Sequence, residues 1–247
     1  MQTRLSANLN KVATLRNTRS VGLPSVVRCA RLCLEAGAHG ITVHPRPDER
    51  HIRPADVADI ARLLAEFPEA EFNIEGNPFL GVLGYAAAYR PAQCTLVPDD
   101  ASQTTSDHGW DLAKQGARLE PLIRALRDHG CRVSLFMDAE PSVMGLASAI
   151  GADRVELYTE PFAAAFARGD PATVLPAFRE SAIAAAETGL GVNAGHDLNL
   201  LNLDLFLANV PGILEVSIGH ALIADALEFG LADAIRRYRS IAWGPGP

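Results

Sequence analysis

Short apolar runs alternate with longer helical stretches eight times along this chain, and that rhythm limits the fold more than any single motif does. Strands are expected at 5–9, 40–44, 71–75, 93–97, 131–137, 154–158, 190–194 and 213–218. Helices are expected at 24–36, 54–67, 78–89, 119–129, 141–150, 162–188 and 199–209, followed by a helical tail to about residue 240. Residues 10–20 and 99–110 read as polar loops and as candidate lids. The strand cores, such as Val133-Ser134-Leu135-Phe136-Met137, are short and mostly apolar, as suits strands covered on both faces. Gly follows the helix in Ala36-Gly37-Ala38 and Ile150-Gly151-Ala152, the chemistry of a helix-to-strand turn. An open doubly wound sheet would want a Gly-rich first turn, and residues 8–22 contain no G-x-G-x-x-G. The expectation is therefore a closed (β/α)8 barrel in one domain spanning 1–247, with a tail of about 241–247 frayed.

Four of the runs end on residues able to do chemistry. Ile41-Thr42-Val43 leads into His44 and Arg46, Phe72-Asn73-Ile74 into Glu75, Val192-Asn193-Ala194-Gly195 into His196, and Val216-Ser217-Ile218-Gly219 into His220. The C-terminal rim is where such barrels keep their active sites. His44, Glu75 and His196 are the acid–base candidates, because imidazoles and partly buried carboxyls exchange protons near neutral pH. One histidine alone would be an ordinary surface or core group. Three polar tips on one rim point to a shared site.

Anion binding is expected at two places. After strand eight, Ala221 to Phe229 forms a short helix broken by Gly230, whose N-terminal N–H groups can face the mouth. Arg16 and Arg19 follow strand one, and Arg46 and His51 follow strand two; arginine forks suit phosphate oxygens. Hydroxyls in Gln103-Thr104-Thr105-Ser106 are further candidate donors. Two anion sites point to a small substrate with two phosphates or to two phosphorylated substrates.

Composition narrows the rest. A net charge of −7 disfavours a nucleic-acid binder, which would carry a basic face. No apolar run approaches the ~20 residues that span a bilayer, and no signal-peptide pattern precedes the first strand. The four cysteines lack finger-like spacing, so no disulfide framework or metal site is expected and a reducing cytoplasm fits. A metal held by His44, Glu75, His196 and His220 stays open as a minor alternative, without a His-x-His or His-Glu-x-x-His spacing behind it. The only lysines are Lys11 and Lys114. A Schiff-base lyase or isomerase would have to use Lys11, near strand one.

The segments Asn8-Leu9-Asn10-Lys11-Val12-Ala13-Thr14-Leu15-Arg16-Asn17, Gly40 to His44, Asn73-Ile74-Glu75, Val133 to Asp138, Val192 to His196 and Ile218-Gly219-His220-Ala221 together resemble the pyridoxine 5'-phosphate synthase family. The resemblance runs nearly the whole length of the chain. It implies a TIM barrel that condenses 1-deoxy-D-xylulose 5-phosphate with 3-amino-2-oxopropyl phosphate, without metal or organic cofactor, in a homo-octamer built from dimers. It also implies proton acceptors at His44 and Glu75 and a proton donor at His196. Contacts to the aminoacetone phosphate are implied for Asn8, Arg19, Asp197, Gly219 and His220, and contacts to the deoxyxylulose phosphate for Arg46, His51 and Thr105.

The chain departs from the family pattern in two places. Asn10-Lys11 stands where Asp-His is common, leaving both as possible rather than assigned contacts. Asp197 stands where Gly is usual; its carboxylate would repel a phosphate unless it turned away to solvent. Besides a Lys11-dependent lyase or isomerase, the other rival is a non-catalytic barrel that binds a phosphorylated ligand.

Overall fold

A computed structural model of the chain describes residues 2–100, 103 and 106–243. Eight parallel strands close in sequence order: β1 (Arg4–Asn8), β2 (Gly40–Val43), β3 (Glu71–Gly76), β4 (Gln93–Leu96), β5 (Arg132–Met137), β6 (Arg154–Tyr158), β7 (Gly191–Gly195) and β8 (Ile213–Ile218). The seam is β1 against β8, with Leu5 opposite Val216 and Ser6 opposite Ser217. Because all strands are parallel, every strand end named above reaches one rim.

Alternation within the strands decides what fills the barrel. Leu5 and Ala7, Ile41 and Val43, Phe72 and Ile74, Val133 and Leu135, Val155 and Leu157 belong to the large apolar core. The residues between them are polar, and Ser6, Thr42 and Asn73 belong to a hydrogen-bonded series, whereas the Ser134 hydroxyl is buried without a partner. Ser6 meets Thr42 at 2.7 Å, Asn73 donates to Thr42 at 3.2 Å, and Thr95 donates to Asn73 at 3.1 Å. Deeper, Gln93 accepts from Arg132 at 2.9 Å and from Asn193 at 3.3 Å, while Arg154 donates to Asn193 at 3.0 Å. The strands are thus half polar rather than mostly apolar. Where many such barrels fill their interior with branched aliphatic side chains, this one fills it with a bonded polar ladder, which positions its members by direction as well as by shape.

The shell differs from the sequence expectation at several points. Residues 10–20 are not a loop: α1 (Asn10–Asn17) follows β1 directly, burying Val12, Ala13 and Arg16. The Asn8 side chain makes this turn by accepting from the Asn10 N–H at 3.0 Å, which propensity alone does not reveal. After α2 (Val26–Glu35), α3 (Pro54–Leu64) and α4 (Val82–Tyr89), helix α5 (Leu112–Asp128) starts seven residues ahead of its expected start at 119, and Pro121 lies inside it. Asp111 caps α5 by accepting from the Lys114 N–H at 3.3 Å.

Beyond α6 (Met144–Ala149), the stretch expected as one helix divides into α7 (Glu160–Ala167) and α8 (Leu175–Glu187). Gly169, at φ +78°, and Pro171 separate them. Helix α9 (Leu203–Asn209) begins later than expected, because the Asn199 and Asn202 side chains bond the backbone of the preceding turn. Two helices close the shell: α10 (His220–Phe229) and α11 (Leu231–Trp243). Residues 241–243 are not frayed. The Ala242 carbonyl accepts from the Thr3 N–H at 2.9 Å, and Trp243 packs on His39 with ring centroids 4.4 Å apart. Residues 244–247 lie outside the described residues.

Cys33 on α2, Cys94 and Cys131 are buried, Cys29 is half-buried, and all four are free thiols. No helix among the described residues is long and apolar enough to cross a membrane.

Candidate active site

A cavity of about 370 Å³ opens at the C-terminal rim, and each strand that ended on a reactive side chain delivers it there. Asn8 comes from β1, Asn10 and Lys11 from α1, His44, Arg46 and His51 from the segment after β2, and Glu75 from β3. His196 and Asp197 follow β7, and Gly219 and His220 follow β8. His44, Glu75 and His196 therefore share one pocket.

Asn8 ties the first three elements together. While its Oδ1 turns the chain into α1, its Nδ2 donates to Glu75 Oε2 at 3.3 Å. Gly219 is what lets Asn8 sit there, since a Cβ at 219 would come within 3.2 Å of Asn8 Cγ. Asn10 does a parallel job for β2: its Oδ1 accepts from the His44 N–H at 2.9 Å. An amide at position 10 is thus a backbone anchor for His44.

The three titratable groups differ sharply in environment. Burial, reinforced by Arg46, His51 and Arg50, drives the His44 imidazolium well below the ordinary histidine range, so this ring is neutral. Its Nδ1 lies 3.9 Å from Glu75 Oε2. Burial pushes the Glu75 carboxyl up to about 7, with His196 opposing and Asp99 adding to the rise. At His196, burial pulls the imidazolium down. The hydrogen bond and charge of Asp197, then the charges of Glu75 and Asp99, overcome it and leave the ring above its usual value. A neutral imidazole, a carboxyl poised near neutrality and an imidazole held above its usual basicity thus face one space, environments that push titratable groups apart.

The Arg46 guanidinium is buried and paired with Asp99, which also accepts from the Ser106 hydroxyl at 2.7 Å. Arg46 Nη1 donates to the Gln103 carbonyl at 2.8 Å, tying the segment after β4 to the segment after β2. His51 Nδ1 accepts from the Ile52 N–H at 2.9 Å, so its Nε2 carries the ring proton. Burial, then Arg46, Lys11 and Arg50, lowers its imidazolium to about 4, which makes His51 a neutral donor at the cavity wall.

Other expectations fall elsewhere. Arg16 is not available to an anion: it is buried against Asp56 and donates to the His51 carbonyl at 3.0 Å. Arg19 lies exposed after α1 and does not line the cavity. Thr105, with Thr104, lies outside the described residues. The Asp197 carboxylate does not simply turn to solvent. Its Oδ2 sits 2.6 Å from His196 Nδ1.

Glu156 on β6 was not singled out from the sequence, yet it lies fully enclosed on the cavity floor, with Oε2 lacking a hydrogen-bond partner. Burial, then the charges of Glu75 and Glu215, raises its carboxyl well above the usual range, so it holds a proton. Gly195 makes room for it, because a Cβ there would lie 2.7 Å from Glu156 Oε1. The available signal was the alternation Arg154-Val155-Glu156-Leu157-Tyr158, which aims a carboxyl inward between two core residues.

Val97, Phe136 and Tyr158 form a separate apolar cluster inside the mouth. The His196 ring packs edge-on against Tyr158, with centroids 5.4 Å apart. No group of three or more His, Cys, Asp or Glu side chains among the described residues is placed to hold a metal ion. After the next strand, β8, α10 begins at His220 directly after Gly219, presenting its first-turn N–H groups at the cavity where an anion would be stabilised.

An eight-stranded parallel barrel that gathers proton-handling side chains at its C-terminal rim has the architecture of a TIM-barrel enzyme. Solved structures share this fold at low identity. They include tryptophan synthase from M. tuberculosis (12% identical, TM-score 0.68, covering 98% of this chain and 93% of that one). Another is 3-keto-L-gulonate-6-phosphate decarboxylase from Vibrio cholerae O1 (11%, TM-score 0.64, covering 98% and 100%).

The chain belongs to the family of the pyridoxal phosphate biosynthesis protein PdxJ, whose model matches residues 5–243. It is 57% identical over 250 residues to pyridoxine 5'-phosphate synthase of Albidiferax ferrireducens, covering 99% of each chain. To the enzyme of the same name from Xanthomonas campestris pv. campestris it is 53% identical over 251 residues, covering 99% of this chain and 98% of that one.

Proposed function

We propose that this protein is a pyridoxine 5'-phosphate synthase. It condenses 3-amino-2-oxopropyl phosphate with 1-deoxy-D-xylulose 5-phosphate, releasing phosphate and water, and closes the pyridine ring by acid–base catalysis. The observation that carries this reading is the convergence of neutral His44, Glu75 poised near 7 and His196 held above its usual basicity on one cavity, in a chain that matches synthases end to end.

The amine of one substrate attacks the ketone of the other, and the bond formed joins the two substrates rather than substrate and enzyme. Loss of the carbinol hydroxyl as water needs a proton delivered to oxygen, which suits the His196 imidazolium. Each later step, loss of phosphate, ring closure and aromatisation, needs protons taken from nitrogen or carbon, which suits His44 and Glu75. Protonated Glu156 offers a hydrogen bond from the floor without adding negative charge.

The first turn of α10, with Gly219 and His220, suits one phosphate. Arg46, His51 and Lys11 suit the other substrate. Arg19 and Thr105 stay in the proposal on the resemblance alone.

A Schiff-base lysine works through desolvation or a neighbouring cation. Lys11 is exposed at the rim, which favours a contact role over a covalent one. Borohydride trapping with substrate checks this directly, and an adduct on Lys11 would favour a lyase.

Mixing the two substrates with purified protein should produce pyridinol absorbance together with inorganic phosphate. Ligand binding without either product would leave a binding barrel instead. The homo-octamer expected from the resemblance is checked by sedimentation, and its cytoplasmic location by fractionation.

The pH dependence follows from the same groups. kcat/KM should rise with pH on the acid side, with a midpoint near 7 where Glu75 loses its proton, and fall on the alkaline side as the His196 imidazolium is lost. The two midpoints belong to the coupled set rather than to single residues. A profile with no rise through about pH 7 would contradict the assignment.

A further inference from the structure

We propose that Asp197 is a positioning residue for the reaction proposed above: its carboxylate holds the Nδ1 proton of His196, so that the ring exchanges protons with substrate through Nε2. The inference rests on that functional reading for its catalytic part and on geometry for the pairing itself.

Neighbouring side chains along an extended strand point to opposite faces, so residues 196 and 197 would not ordinarily meet. Here they do, because His196 adopts a left-handed backbone at φ +85°, immediately after β7 ends at Gly195. A non-glycine residue holds that conformation only where its surroundings impose it, and such residues cluster at functional sites.

The surroundings are explicit. Thr159 donates its hydroxyl to the Gly195 carbonyl and accepts from the Asp197 N–H at 3.3 Å, so one side chain clamps both ends of the turn. Asn202 Nδ2 reaches the Asp197 carbonyl at 3.4 Å, and the His196 N–H points to the Ser217 carbonyl at 3.4 Å. Phe136 and Tyr158 enclose the ring, with centroids at 6.4 and 5.4 Å. The turn thus places the Asp197 carboxylate 2.6 Å from Nδ1.

A carboxylate cannot donate, so at this distance the Nδ1 proton lies between the two residues. Any proton passed to substrate must then leave from Nε2. This selects one tautomer when the ring is neutral and stabilises the imidazolium when it is charged. The titratable groups around the ring come from several elements: Glu75 on β3, Asp99 after β4, Glu156 and Tyr158 on β6, and His220 at the start of α10. Glu75 and Asp99 favour the cation as well, yet Asp197 is the one in hydrogen-bond contact. The Asp197 N–H, bonded to Thr159, is also not left for a phosphate, unlike the first-turn N–H groups of α10 after the neighbouring strand β8.

The test compares Asp197→Asn and Asp197→Glu with the wild type. Hydrogen–deuterium exchange at histidine Cε1, read by mass spectrometry across pH, gives the His196 midpoint without any substrate. In D197N that midpoint should fall by about one unit or more, and the alkaline limb of the kcat profile should move down with it. On the alkaline side kcat should drop by about 10- to 100-fold, with KM for both substrates within about twofold. D197E, which keeps the carboxylate, should restore much of the midpoint. An unchanged midpoint in D197N overturns the proposal. So does a kcat loss without movement of the alkaline limb, or a loss confined to KM. A wild-type protein without synthase activity would overturn the functional reading alone, leaving the His196–Asp197 pair to be judged by the exchange midpoint.

Discussion

Glu75→Gln should lower kcat by about 10²–10⁴-fold while leaving KM for both phosphorylated substrates nearly unchanged. The amide keeps the size of the side chain and can still accept from Asn8 Nδ2, which lies 3.3 Å from Oε2 in the wild type. What it loses is the ability to take a proton. Steady-state kinetics with each substrate varied in turn checks this, and near wild-type kcat in the variant would remove Glu75 from proton transfer.

The same variant carries a stability signature. The Glu75 carboxyl is raised from 4.5 to about 7 in the folded protein. The folded state therefore binds this proton more tightly than the unfolded chain does. The contribution is fully present below the unfolded value and is lost as pH rises through about 7. Relative to the wild type, the glutamine variant should melt progressively higher as the pH is raised across that window. Melting curves that keep a constant offset would mean that the carboxyl is not raised.

Asp56→Ala should cost about 3–5 kcal/mol of stability, because it strands the Arg16 guanidinium in a buried site. The two side chains are 9% and 11% exposed, so water cannot replace the lost partner. Asp56 also accepts from the Arg53 N–H at 2.8 Å at the start of α3, and that cap disappears with it. For a chain of this size the loss corresponds to a melting temperature about 6–20 °C lower.

The consequence reaches the mouth of the barrel. Arg16 anchors α1 to the segment after β2 through the His51 carbonyl, and α1 carries Asn10, which holds the His44 N–H. Weakening this anchor should therefore raise KM as well. Calorimetry showing a shift of less than about 2 °C would mean that Arg16 finds another partner, and the anchoring argument would fail.

Most of the fold was legible because its signals are local. Each strand is a short run in which core residues recur at every second position, set between helical stretches that carry their own termini. His44, Glu75 and His196 were legible for the same reason: each stands at the end of such a run, where parallel pairing brings it to a common rim.

Helix α1 was missed because the Asn8 side chain, not helix propensity, starts it. The early start of α5 was missed because residues 112–118 follow directly on a polar stretch and include Gly116, while the Asp111 side chain that caps the helix shows itself only in the fold. Glu156 escaped because a single carboxyl among core residues looks the same in sequence whether it faces a shell of helices or a cavity.

Arg16 and Asp197 show the limit most clearly. In sequence, one is an arginine in a polar stretch and the other a carboxylate beside a phosphate motif; their partners were Asp56, forty residues away, and the adjoining His196 ring. Sequence by itself determined the eight βα units, the rim on which the titratable residues gather and the residue types that line the site. Those follow from periodicity and residue type, which act over a few positions. Tertiary structure alone decided which charges are spent on one another, which carboxyls hold their protons, and which way a side chain turns at the end of a strand. Each of these depends on burial and on contacts between distant segments, where a desolvated charge is governed by whatever group lies within a few ångströms.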